Sequence, residues 1–119
     1  MTKWRKNSEM TDNPKFLSLL GMSRKAGKLS CGHDGAIGSI RSRSACLCLL
    51  SSDSSPRLRL ETEREANFEG RNIPVVVLHS SMEDIRRATG LKSAVLTVND
   101  EGFAKSMLGL LNTTGEVTE

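Results

Sequence analysis

The amino-acid sequence predicts an α/β protein: a three-layer α/β/α sandwich with a mixed central sheet. Two observations carry this. Helical and extended patterns alternate from one end of the chain to the other, in the order helix, strand, helix, strand, helix, strand, helix, strand, helix. Two of the extended runs, Ala45-Cys46-Leu47-Cys48-Leu49-Leu50 and Pro74-Val75-Val76-Val77-Leu78, are apolar without interruption, as strands covered on both faces are. At 119 residues the chain supports one hydrophobic core system but not two independent ones.

Each element has its own signal. Residues 1–12 are polar and charged, with Trp4 as the one large apolar anchor, and read as a flexible basic tail; 13–111 form the domain and 112–119 a C-terminal tail. Asn13 caps a helix with Pro14 in its first position, Phe16, Leu17, Leu19, Leu20 and Met22 give it an apolar face, and Gly27 ends it. Lys28 to Ser30 is a short extended run that turns through Cys31 and Gly32 into a helix whose apolar residues are Ala36, Ile37 and Ile40. The buried strand Ala45 to Leu50 follows. Ser51 to Pro56 has turn and cap chemistry, and Arg57 to Ala66 reads as a helix with four-residue ion pairs Arg57/Glu61 and Arg59/Glu63, ending near Gly70. After the strand Pro74 to Leu78, His79 to Met82 is a loop in which Ser80 or Ser81 caps the helix Met82 to Thr89, with Glu83 and Asp84 in its first turn and Gly90 as its stop. Ala94 to Val98 is the last strand and Asn99-Asp100 a turn and cap. Phe103, Ala104, Met107, Leu108, Leu110 and Leu111 are the apolar face of a closing helix.

The turn at Gly32 is where function is expected. A strand that enters a helix through glycine presents backbone N–H groups and the positive end of a helix dipole, where an anion docks. The glycines at 32, 35 and 38 fall within one third of the helix circumference. Each interior glycine costs about 1 kcal/mol relative to alanine, so their bare face predicts the close approach of another backbone, a sheet or a nucleic acid. The loop at His79 to Met82 also opens a helix, and together the two turns would form a two-part anion-binding rim. Charge points the same way. Residues 1–50 carry nine Lys or Arg against three Asp or Glu, residues 51–119 eight against eleven, and Arg24, Lys25, Lys28, Arg41 and Arg43 flank the turn in sequence.

Other classes fit less well. One Trp, three Phe and no Tyr leave little for recognition by base stacking. No apolar run approaches the ~20 residues that span a bilayer, and no apolar stretch follows the basic start, so neither a membrane nor export is expected and a cytoplasmic location is. Cys31, Cys46 and Cys48 do not suit a disulfide framework, and their spacing with His33 is not that of a zinc site; no metal or other cofactor is expected. An enzyme with Cys31 as nucleophile, His33 as base and Asp34 as orienter is disfavoured, because three neighbours in sequence rarely converge on one substrate atom. Gly32-His33-Asp34-Gly35 also resembles the backbone clamp of a KH domain, but without its basic middle and in a different order of elements.

A family resemblance adds to this. The stretch Phe16-Leu17-Ser18-Leu19-Leu20-Gly21-Met22-Ser23-Arg24-Lys25-Ala26-Gly27-Lys28-Leu29, then Ile40-Arg41-Ser42, Asn72-Ile73-Pro74-Val75, Asp84-Ile85-Arg86-Arg87-Ala88-Thr89-Gly90 and Asp100-Glu101-Gly102-Phe103-Ala104-Lys105, resembles the small bacterial YlxQ-like proteins of the kink-turn RNA-binding ribosomal protein superfamily, in order from about Asn13 to Leu111. The resemblance implies a non-catalytic protein of α/β/α fold that contacts a kinked, structured RNA, with ribosomal RNA or another kink-turn-like RNA, and the ribosome, as the expected partners; nothing in the sequence demands more than a monomer, which is the expected state. It implies contact through the glycine-led helix, where Gly32 matches the opening glycine and Lys28 lies upstream, and through the loop before the Ile85 helix, where Ser81, Ile85, Arg87, Ala88 and Gly90 match. The residues nominated for RNA contact are Lys28, Gly32, His33, Asp34, Gly35, His79, Ser80, Ser81 and Arg87. The chain departs from the family at Asp34, Gly35 and Gly38, where its RNA binders carry Asn, Glu and a guanine-reading Lys, and at Arg86, where a glycine is usual. A protein-interaction scaffold that kept the fold and lost its RNA is the alternative.

Overall fold

A computed structural model describes residues 14–113, with side chains through residue 111; Asn13, the expected N-terminal tail and residues 114–119 lie outside the described residues, while the backbone of 112 and 113, expected as the start of the C-terminal tail, continues the last helix. The elements are α1 (Pro14–Lys25), β1 (Leu29–Cys31), α2 (Gly32–Arg41), β2 (Leu47–Leu50), α3 (Pro56–Asn67), β3 (Val75–Val77), α4 (Met82–Thr89), β4 (Val95–Val98) and α5 (Glu101–Thr113). The alternation expected from sequence is reproduced in full. A 3₁₀ turn, Phe68–Gly70, follows α3, with Glu69 in the left-handed region at φ 52°. The first expected strand shifts by one residue and the other three shorten by one or two, yet their hydrogen bonding continues past the ends: the Cys46 amide donates to Val98 O and the Leu78 amide to Leu50 O.

The sheet is mixed, in the order β1-β4-β2-β3. Strand β4 runs antiparallel to both its neighbours, while β2 and β3 are parallel. Because side chains alternate along a strand, each strand feeds both faces. Leu47 and Leu49 of β2, Leu96 and Val98 of β4 and Val76 of β3 pack with Phe16, Leu20, Ile85, Ala104 and Met107, so α1, α4 and α5 cover one face. Cys48, Leu50, Val75 and Val95 point the other way and meet Ala36, Ile37, Ile40 and Ala66 from α2 and α3. Three layers result. Burying each large aliphatic side chain contributes about 1.5–3 kcal/mol, and of the fully buried ones Leu20, Leu47, Leu49, Ile85 and Leu96 lie under α1, α4 and α5 while Ile40 and Leu50 lie under α2 and α3, so the first face carries the larger core.

The register also fixes where the loops go. Cys31 pairs with Leu96, Leu50 with Val95, and Leu50 with Val77, so the C-terminal ends of β1, β2 and β3 meet the start of β4 at one edge. Four connections share that rim: the β1–α2 turn, the β2–α3 loop, the β3–α4 loop and the α4–β4 loop.

Two local expectations are corrected. The ion pairs foreseen along α3 do not form: Glu61 is taken by His33, and Arg59 turns back to Ser54 Oγ at 2.9 Å and Ser52 O at 2.8 Å, where it braces the loop before its own helix. A carbonyl that already lacks a partner in a turn outcompetes an exposed carboxylate one turn away, whose pairing is worth only a few tenths of a kcal/mol. The second correction concerns glycine. Close backbone approach occurs at Gly21, where a Cβ would lie 2.8 Å from Ala88 O and where α1 crosses α4, whereas Gly38 has nothing within 4 Å and Gly35 meets only Ser30 Cβ at 3.9 Å. The bare face of α2 is therefore not explained by packing within the described residues.

Candidate nucleic-acid interface

Strand β1 ends in extended backbone at Cys31, and the chain enters α2 through Gly32 at φ +80°, a conformation that costs an L side chain about 1–2 kcal/mol. The corner is open, with nothing within 4 Å of where a Gly32 side chain would sit. Its first amide is nevertheless spent: Gly32 N–H donates to Ser93 Oγ at 2.9 Å, and Ser93 in turn donates to Val95 O at 2.6 Å. Cys31 supplies no side-chain cap. Of the amides at the helix start that lack an intrahelical acceptor, those of His33 and Asp34 are the pair that an incoming anion can use.

His33 lies at this corner between two carboxylates, with Nε2 2.8 Å from Glu61 Oε2 and Nδ1 3.3 Å from Asp34 Oδ1. The hydrogen bond to Glu61, then that to Asp34, raises its pKa above the ordinary histidine value. Both ring nitrogens go to carboxylates, so neither is directed at a thiol, and the Cys31-His33-Asp34 constellation is not assembled as a nucleophile and base. Among the described residues no group of three or more His, Cys, Asp and Glu could hold a metal ion. Gly35 and Gly38 are exposed along the outer face of α2. Below them Ser30 Oγ and Ser39 Oγ lie 2.8 Å apart, and Asn99 Nδ2 donates to Ser30 Oγ at 2.8 Å, which ties α2 to the edge strand.

The second turn foreseen from sequence lies on the same rim, but its amides are engaged. Ser81 caps α4 in a full capping box with Asp84, and Met82 N–H donates to Asp53 Oδ1 at 3.1 Å. Ser80 is buried, and its carbonyl accepts from the Ser52 amide; His79 is half-buried. Arg87 is exposed and lies 3.8 Å from both Glu83 and Asp84. Strand β3, which leads to this turn, is separated from β1 by β4 and β2, about 14 Å across the sheet.

What adjoins Gly32 instead is the α4–β4 loop, residues 90–94. Gly90 ends α4 at φ +83°, Arg24 Nη1 donates to Thr89 O at 3.0 Å, Leu91 is half-buried, Lys92 is exposed and Ser93 holds the Gly32 amide. Sequence reading missed Leu91, Lys92 and Ser93, because they reach the rim only if β4 runs antiparallel to its neighbours. Of the basic residues that flank the turn in sequence, Lys28 lies at the far end of β1, about 10 Å from Cys31, where its carbonyl accepts from Asn99 N. Arg41 is at the other end of α2, paired with Glu65 at 2.9 Å.

The family model for the ribosomal protein L7Ae/L30e/S12e/Gadd45 family matches residues 15–108. The chain belongs to this family. Among curated relatives, the RNA-binding protein YlxQ of Bacillus subtilis (strain 168) is 30% identical over 98 residues, covering 82% of this chain and 95% of the relative. The RNA-binding protein YlxQ of Enterococcus faecium is 28% identical over 97 residues, covering 82% and 91%. Among solved structures, a protein of unknown function from Bacillus halodurans C superposes with a TM-score of 0.77 at 27% identity, covering 84% of this chain and 99% of that one. The Giardia lamblia 15.5kD RNA binding protein, at 14% identity and a TM-score of 0.64 over 87% and 90% of the two chains, shares the fold. As an L7Ae-family chain it is YlxQ-like in sequence, and the α/β/α sandwich is the family's architecture.

Proposed function

We propose that this L7Ae-family chain is a non-catalytic RNA-binding protein, with a backbone phosphate of a kinked, structured RNA docked on the first turn of α2 beside residues 90–94. The carrying observation is the open, uncapped helix start at His33 and Asp34, reached through Gly32 and fastened to Ser93. The bare Gly35 and Gly38 face then lets the RNA strand lie against α2, with Lys92 at the edge of the contact. The names of both YlxQ relatives support RNA as the partner. Ribosomal RNA in the cytoplasm is the first target to examine, bound by a monomer.

The test is a titration of the protein against a kink-turn RNA, a scrambled duplex of the same length and ribosomal particles, at several salt concentrations. The reading expects a preference for the kinked RNA and a log K against log salt slope corresponding to a few phosphates. Equal binding to every polyanion would reduce the site to unspecific charge, and absence of binding would leave the interaction-scaffold alternative. One observation favours that alternative: the fully exposed Asp34 carboxylate stands at the phosphate corner, where it repels an anion unless a cation screens it.

A further inference from the structure

The described part of the molecule carries one more surface suited to a polyanion, the outer face of α3. Arg57 and Arg64 are seven residues apart, so they stand nearly in line along the helix, separated by an axial rise of about 10 Å, roughly three base steps of a duplex. Among the described residues neither makes an ion pair, and no hydrogen bond anchors either side chain. With Leu60 and Glu61 they line a hollow of about 380 Å³. Leu60, between them, is 57% exposed, and Glu61 beside it turns its carboxylate to His33 Nε2 at 2.8 Å.

Of the acidic residues of α3, only Glu61 borders this strip. Glu61 is hydrogen-bonded to His33, and Glu65 is held by Arg41 at 2.9 Å and Arg71 at 3.3 Å, which keeps its carboxyl below the usual range, Arg41 contributing most. Glu63 lines a different hollow with Asn67, Asn72, Ile73, Pro74 and Val75, toward β3. The same Glu61–His33 hydrogen bond joins the middle of α3 to the first turn of α2, so the arginine strip is continuous with the phosphate corner.

We propose that the Arg57–Leu60–Arg64 face of α3 is a second docking surface for the RNA, gripping the sugar-phosphate backbone of a duplex stem that leaves the α2 corner. This rests on the RNA reading above and extends it from the kinked loop to the flanking stem. Contact at this face is to phosphate and ribose, so it adds affinity and orientation without reading sequence.

The experiment compares two RNAs, a kinked internal loop with minimal stems and the same loop with one stem lengthened by about one helical turn. Three proteins are titrated across salt: the wild type, Arg57→Gln/Arg64→Gln, and a control of equal charge change on the opposite face of the sheet, Lys15→Gln/Lys105→Gln. Thermal melts establish that all three are folded. The wild type and the control are expected to bind the longer RNA more tightly, with a salt slope steeper by about 1.8, the contribution of two duplex phosphates. The arginine variant is expected to lose that increment and to bind both RNAs as the wild type binds the short one. The proposal is overturned if the arginine variant keeps the increment, if the control loses it equally, or if the wild type gains nothing from the longer stem; the face would then belong to a protein partner or to solvent. Failure of the wild type to bind either RNA overturns the underlying RNA reading instead.

Discussion

Replacing Gly32 by alanine tests the corner on which the site is built. At φ +80° an L residue carries about 1–2 kcal/mol of steric strain, and the added methyl meets no atom within 4 Å, so strain is the whole of the native-state cost. Alanine also narrows the unfolded ensemble, which returns a few tenths of a kcal/mol up to about 1. The net expectation is a destabilisation of about 1 kcal/mol, small against the 5–15 kcal/mol typical of natural domains. Urea unfolding followed by far-UV circular dichroism measures it: with a slope of about 1 kcal/mol per molar urea, the midpoint falls by about 1 M. RNA affinity is expected to fall further than stability implies, because the methyl occupies the open space beside the His33 and Asp34 amides. An unchanged or raised midpoint would refute the left-handed corner. A lowered midpoint with unchanged RNA affinity would keep the corner and remove it from the interface.

Gly38→Ala, inside α2 and facing open space, is expected to raise stability by about 0.5–1 kcal/mol through helix propensity while weakening RNA binding, measured by the same unfolding and titration experiments. Gly21→Ala has the opposite sign: its methyl would lie 2.8 Å from Ala88 O, α1 and α4 must part, and a loss of about 1–3 kcal/mol is expected in the urea midpoint. His33 gives a pH dependence. Its folded pKa is raised, first by Glu61 and then by Asp34, so its stabilising contribution is fully present below about pH 6.5, the unfolded value, and disappears as pH rises through the folded value. The difference in melting temperature between wild type and His33→Gln should therefore be largest near pH 6 and shrink toward pH 8.5; a constant difference would show that His33 carries no charge in its contact with Glu61.

The order of elements was legible because each signal was local. Gly27 and Gly90 do end their helices, at φ +74° and +83°, Ser81 and Asp84 form the capping box that their spacing suggests, and Asp100 accepts from the Phe103 amide as a cap should. The site was legible only in part, because it depends on pairings between distant residues. The uncapped start of α2 follows from Cys31 and Gly32, but the bond from Gly32 to Ser93 spans 61 residues, and no local pattern marks Ser93 as a partner. The α3 ion pairs failed for the same reason: spacing along one helix identifies who can meet, and the neighbouring helix and loop decide who does.

The charge distribution shows why net charge alone does not locate an interface. The N-terminal part of the chain is the basic one, yet the cations it contributes around the turn are largely spent or distant: Arg41 on Glu65, Arg24 on the end of α4, Lys28 at the opposite end of β1. In the acidic part, Arg59, Arg71 and Arg86 are likewise engaged, while Arg57, Arg64 and Lys92 project where a polyanion could reach them. An exposed ion pair contributes little to stability, but it removes a cation from the external field. The surface open to a polyanion is therefore set by which cations the fold leaves without a carboxylate, and among the described residues these include Arg57, Arg64 and Lys92 of the half that carries the net negative charge as well as Lys25 and Arg43 of the basic half.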